Sequence, residues 1–222
     1  MKNNTKEPVS VQPLVDVVKA LRAPNGCPWD QKQTHESLRR YFIEETYEVV
    51  DAIDNKDMDN LREELGDVLL QVVFHSQLAE EAGQFTLEDV IHDVTDKMIR
   101  RHPHVFNPEN DEKSYSWDEL KAKEKKNSQN SVLDGVSKSL PALVAAYKLQ
   151  EKAAKLGFDW DELDPVWAKV SEEMGEFKEA IAQKDRENME KEAGDVLFSL
   201  INLLRWYKIS GENALNRTNT KF

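Results

Sequence analysis

Glu45, Glu48, Glu64 and Asp67 form two acid-x-x-acid pairs, and the same spacing returns 128 residues later as Glu173, Glu176, Glu192 and Asp195. Carboxylates grouped in this way, with no histidine or cysteine among them, are hard oxygen donors suited to Mg²⁺ or Mn²⁺. Four anions drawn together must be neutralised by protons or by cations, because burying them unpaired is prohibitive. A single pair means little in a chain with 42 acidic residues in 222, and solvated faces or ion pairs with Arg39, Arg40 and Arg62 would explain it. The chance that four given positions are all acidic at one offset is only about 0.001. Neighbours repeat too: Ala52, Ile53, Lys56, Asp57, Asn60, Gly66, Val68 and Leu69 match Ala180, Ile181, Lys184, Asp185, Asn188, Gly194, Val196 and Leu197. The chain therefore contains an internal repeat, and the duplication favours a metal site over incidental charge.

Helices must position these acids. Few glycines and prolines punctuate the chain, and apolar residues recur at three and four, so the fold class is all-α with no persuasive strand. The pattern predicts helices over about 13–21, 37–53 and 57–82, with a turn at Asp54-Asn55-Lys56, and a fourth starting near Leu87 with Thr86 as N-cap. Residues three apart share a helix face, which pairs Glu45 with Glu48 and Glu64 with Asp67. Position 56 is the midpoint of both 48 and 64 and of 45 and 67. An antiparallel hairpin about Lys56 therefore sets Glu48 level with Glu64 and Glu45 level with Asp67, and a second hairpin about Lys184 repeats the arrangement. Gly66 and Gly194 sit inside these helices, where glycine costs about 1 kcal/mol against alanine, which implies a ligand, a partner helix or close packing.

Turn signals from 107 to 116 and a charged, amide-rich run from 121 to 130 mark a boundary between domains over 10–125 and 135–222. The second begins with a helix from about Leu140 to Leu156, stopped at Gly157, and an aromatic entry at Phe158 and Trp160. The net charge of −12 argues against a direct nucleic-acid or anionic-membrane binder. No apolar stretch approaches the roughly 20 residues of a membrane span, and neither a secretory signal nor a cysteine pair is present, so the cytoplasm is the expected compartment. The apolar face over Val68 to Leu78 is wide enough to expect a homodimer.

The strings Gly26-Cys27-Pro28-Trp29-Asp30, Gln33-Thr34-His35, Glu44-Glu45-x-x-Glu48 and Glu63-Glu64-Leu65-Gly66-Asp67-Val68 resemble those of MazG-type nucleoside triphosphate pyrophosphohydrolases. Ser139-Leu140-Pro141-Ala142-Leu143 and Gly157-Phe158-Asp159-Trp160 look like the opening of the second domain in two-domain members. The resemblance implies tandem helical domains with four-helix-type packing completed by dimerisation. It also implies Mg²⁺-dependent hydrolysis of ribo- and deoxynucleoside triphosphates to monophosphate and pyrophosphate. The family's metal ligands fall on the eight repeated acids. Glu44 and Glu172 then stand beside the clusters to orient a water, and Lys97, Arg100, Arg101 and Lys221 stand as phosphate ligands, with Trp117 as the aromatic of the first domain's tail. The second domain lacks that tail after Phe222. The resemblance assigns hydrolysis mainly to the second domain, whereas the residues here equip the first half more fully. The alternative is a catalytically weakened nucleotide-binding or scaffold protein. A ferritin-like di-iron site is disfavoured because no Glu-x-x-His occurs. Of the remaining candidates, the reading makes His75 a hydrogen-bonded core histidine, Cys27 structural, Arg101-His102-Pro103-His104 a positioned loop, and Trp29 and Trp160 packing residues.

Overall fold

The computed structural model describes residues 10–106 and 132–222, which fall into two compact units, 1–120 and 121–222. Among the described residues every regular element is helical, and none is long and apolar enough to cross a membrane. The expected boundary segments at 107–116 and 121–130, and Trp117, lie outside the described residues.

In the first unit α1 (Gln12–Arg22) opens on Pro13, whose missing N–H and fixed φ suit a first turn. A one-turn helix, α2 (Pro28–Gln31), leads into α3 (His35–Asn55) and α4 (Met58–Glu81), followed by α5 (Leu87–Arg101) and the short α6 (Pro103–Phe106). The second helix begins at His35, two residues ahead of the expected Ser37. Thr34 is the N-cap: its hydroxyl accepts from the Ser37 N–H at 3.2 Å while the Thr34 N–H donates to Ser37 Oγ at 2.9 Å. Asp57 caps α4 by accepting from the N–H groups of Asp59 and Asn60. Thr86 caps α5 reciprocally with Asp89, as expected.

The core of this unit joins Val18 of α1, Leu38 of α3 and Val73 and Phe74 of α4. Arg22 bolts α1 down. Its guanidinium donates twice to Glu81, at 2.8 and 2.7 Å, and to the carbonyl of Asp30 at 2.5 Å, while lying over the Phe74 ring. The 26–30 motif is thereby a structural joint. A Cβ at Gly26 would stand 2.3 Å from the Leu21 carbonyl oxygen and 2.4 Å from that of Ala20, so only glycine lets the chain turn back on the end of α1. Cys27 stands in the same turn at the N-cap position of α2, and its side chain makes no capping hydrogen bond.

The second unit opens with a single 3₁₀ turn (Val132–Gly135), then α7 (Ala142–Lys155), α8 (Leu163–Gln183), α9 (Arg186–Trp206) and α10 (Gly211–Lys221). Gly157, at φ 83°, ends α7 in the left-handed conformation, which is the stop read from the sequence. The α8–α9 hairpin packs around Val166, Val170 and Leu203. Asp185 caps α9 as Asp57 caps α4.

Candidate active site

Both hairpins turn at the expected residue. Lys56 and Lys184 are the C-caps of α3 and α8 in the left-handed conformation, each at φ 57°. With the turn there, Glu45, Glu48 and Glu64 each offer a carboxylate oxygen within 4.8 Å of the others, a separation that one cation can span. Asp67 lies close enough for its charge to act on Glu45 and Glu64. Burial, reinforced by Asp67, Glu48 and Glu64, pushes the Glu45 carboxyl up to about 6. Glu64 is raised as well, by burial first and then by Glu48 and Asp67. Among the described residues no ion pair reaches these four acids. Arg62 pairs with Asp59 at 3.3 Å and Arg40 lies on the Tyr41 ring and its hydroxyl, so two of the three arginines that would have neutralised the cluster are turned elsewhere.

The second hairpin gathers Glu173, Glu176 and Glu192 in the same way, within 4.8 Å. Here Glu173 and Glu192 are buried, at 7% and 5% exposure. Glu192 Oε2 is buried and accepts no hydrogen bond among the described residues. Such an orphaned anionic oxygen is costly and wants a cation or a proton. Burial and the charges of Glu173 and Glu192 raise Glu176. In contrast to the first cluster, two ammonium groups enter: Lys169 Nζ stands 2.8 Å from both Glu172 Oε1 and Glu173 Oε1, and Lys191 Nζ stands 3.0 Å from Glu192 Oε1 and 3.9 Å from Asp195 Oδ2. Sequence reasoning missed both lysines. Aligning the repeat at its own offset would have shown them against Tyr41 and Glu63.

Other candidates divide. Glu44 and Glu172 are exposed beside their clusters, with Glu172 held by Lys169. Lys97 and Arg101 are half-buried on α5, which packs on α4. Lys221 is exposed at the end of α10, whose main packing partner is α7. A Cβ at Gly66 or Gly194 meets nothing within 4 Å, so close packing inside the unit is not the reason for either glycine. His75 is hydrogen-bonded as expected, and its partner is His35, 40 residues away: the rings stack and their Nδ1 atoms lie 2.8 Å apart. The loop expected over Arg101-His102-Pro103-His104 is a single residue: Arg101 ends α5, Pro103 opens α6, and His102 between them donates from Nδ1 to the Met98 carbonyl at 2.7 Å. Trp29 meets Tyr41 edge-on but is 52% exposed, and Trp160 is 44% exposed, so neither is packed away as expected.

The chain is similar in sequence to known proteins. The family model described as the MazG nucleotide pyrophosphohydrolase domain matches residues 33–106 and again 164–222, one match over each acidic hairpin. A Thermotoga maritima protein named nucleoside triphosphate pyrophosphohydrolase/pyrophosphatase MazG is 49% identical over 94% of this chain and 81% of its own length. The nucleoside triphosphate pyrophosphohydrolase of Escherichia coli K12 is 45% identical over 94% of this chain and 82% of its own. An uncharacterized protein of Bacillus subtilis, YabN, is 53% identical over 93% of this chain and 43% of its own. With both repeats matched, and with the Thermotoga and Escherichia relatives 49% and 45% identical over most of their length, the chain belongs to the MazG family of nucleotide pyrophosphohydrolases, a family of enzymes.

Proposed function

We propose that this protein hydrolyses nucleoside triphosphates, ribo- and deoxy- alike, to nucleoside monophosphate and pyrophosphate in the presence of Mg²⁺, with Mn²⁺ as a substitute. The observation that carries this reading is the convergence of Glu45, Glu48 and Glu64 within 4.8 Å with no protein cation paired to them among the described residues. An oxygen-only donor set of this kind fits a hard divalent ion. Glu45, Glu48, Glu64 and Asp67 would hold it in one domain (10–125), and Glu173, Glu176, Glu192 and Asp195 in the other (135–222). When bound, Mg²⁺ offsets the triphosphate charge and makes water a better nucleophile.

The remaining roles fall to the chain. Glu44 or Glu172 orients the water and takes its proton. The water oxygen joins the α-phosphorus, the bond from that phosphorus to the bridging oxygen breaks, and the bridging oxygen leaves with pyrophosphate. Lys97, Arg101 and Lys221 supply donors to the phosphates as charge develops. Product analysis tests this reading. ATP or dCTP with Mg²⁺ is expected to give the monophosphate and pyrophosphate, with none formed in EDTA. Diphosphate and orthophosphate, or no turnover at all, would contradict it, and the latter would favour a binding module.

A homodimer in the cytoplasm belongs to the same proposal. The Val68–Leu78 face expected to seek a partner is mostly covered within the unit, with Val73 and Phe74 buried and Leu70 and Leu78 against the core, but Ile43 and Tyr47, one turn apart on α3, and Leu65 and Leu69, one turn apart on α4, remain exposed. Such stripes seek cover that one unit does not supply. Sedimentation velocity is expected to give about twice the chain mass, and a single 25.6 kDa species would overturn the dimer.

A further inference from the structure

The two acidic sites differ in the charge they already contain. In the second unit Lys169 lies against Glu172 and Glu173, and Lys191 lies against Glu192 with Asp195 within reach. The equivalent positions in the first unit carry a phenol, Tyr41, and a further carboxylate, Glu63. Four carboxylates therefore meet two ammonium groups in one hairpin, and four meet an additional anion in the other. The lysines do not complete the second site, because Lys191 bonds Oε1 of Glu192 while its buried Oε2 has no partner among the described residues.

We propose that Lys169 and Lys191 are resident counter-ions that make the second site the weaker of two divalent-cation sites, so that the first fills at low Mg²⁺ and the second only at higher Mg²⁺. The inference rests on the metal-binding reading of both clusters. A cation entering the second site displaces ammonium groups from carboxylates that they already screen, whereas one entering the first finds the full field of its acids. Both lysines keep access to solvent, with side chains 40% and 69% exposed. Their combined effect is therefore modest, about three- to tenfold in affinity.

The test titrates the full chain with Mn²⁺ alone, reading free Mn²⁺ by electron paramagnetic resonance, with circular dichroism as a control for folding. Two affinity classes are expected, the tighter lost in Asp67→Asn and the weaker in Asp195→Asn. The double variant Lys169→Met, Lys191→Met is expected to tighten the weaker class about three- to tenfold. Lys191→Arg, which keeps the charge, is expected to leave it unchanged. As the reciprocal variant, Glu63→Lys at an exposed position is expected to weaken the tighter class. Equal affinities in the parent chain, or two classes that ignore the lysine substitutions, would overturn this inference and leave the metal reading standing. No Mn²⁺ binding at all would overturn both.

Discussion

Lys56 and Lys184, 128 residues apart in sequence, hold the same left-handed backbone, φ 57° with ψ 30° and 25°, and each is the point about which one hairpin's acids are symmetric. A lysine pays for that conformation with contact between its Cβ and the backbone, about 1 kcal/mol or more, which a glycine avoids. What fixes the turn is its surroundings: the Asp57 N–H donates to the Ala52 carbonyl at 3.0 Å, and Asp57 and Asp185 cap the next helices.

Lys56→Gly is accordingly expected to stabilise the first unit by about 0.5–1 kcal/mol without moving Glu48 away from Glu64. Urea unfolding of the parent and the variant measures it. A destabilisation would mean that the lysine side chain contributes more than the backbone strain costs.

Gly26 faces the opposite demand. Its Cβ would press on two carbonyl oxygens at the end of α1, inside the joint that Arg22 ties to Asp30 and Glu81. Gly26→Ala is expected to destabilise the protein by about 2 kcal/mol or more, since backbone atoms have to shift. A melting temperature within a degree of the parent would refute this.

The titration of the acids predicts a pH dependence with a definite sign. Glu45, held up to about 6 by burial and its acidic neighbours, binds a proton more tightly in the folded state than in the unfolded chain. Without divalent metal, its contribution is fully present below the ordinary glutamate value of 4.5 and is lost as pH rises to about 6. His75 works against this, because burial and His35 hold it below its usual value and its folded form prefers to stay neutral. The difference between parent and Glu45→Gln isolates the glutamate. In EDTA, thermal melts from pH 4.5 to 6.5 are expected to fall more steeply in the parent than in the variant, and Mg²⁺ at pH 7 to raise the parent's melting temperature. Parallel profiles would exclude a proton-loaded cluster.

Much of the site was legible because its geometry follows from helical periodicity. Midpoints at 56 and 184 located both turns, and i,i+3 spacing placed each acid pair on one face. Helix ends followed where a side chain announced them, as Thr86 did for α5. The two-residue error at α3 arose where Thr34 and Ser37 cap each other through a reciprocal pair that lacks the usual acid. Long-range partners left no local signal. His35 meets His75 across 40 residues, and Arg22 meets Glu81 across 59, through tertiary packing alone. Gly66 shows the limit of a propensity argument, since its cost as a helical glycine was readable but its open surroundings were not.

The decisive measurement is pyrophosphate release from a mixed panel of ribo- and deoxynucleoside triphosphates with Mg²⁺, run on the parent chain, Asp67→Ala, Asp195→Ala and the double variant, with helicity checked in each. If the acidic hairpins perform the chemistry, the parent releases pyrophosphate, at least one single variant loses rate by about a hundredfold or more, and the double variant is inactive while still folded. A folded double variant that releases pyrophosphate at the parent rate would contradict the assignment of hydrolysis to these carboxylates.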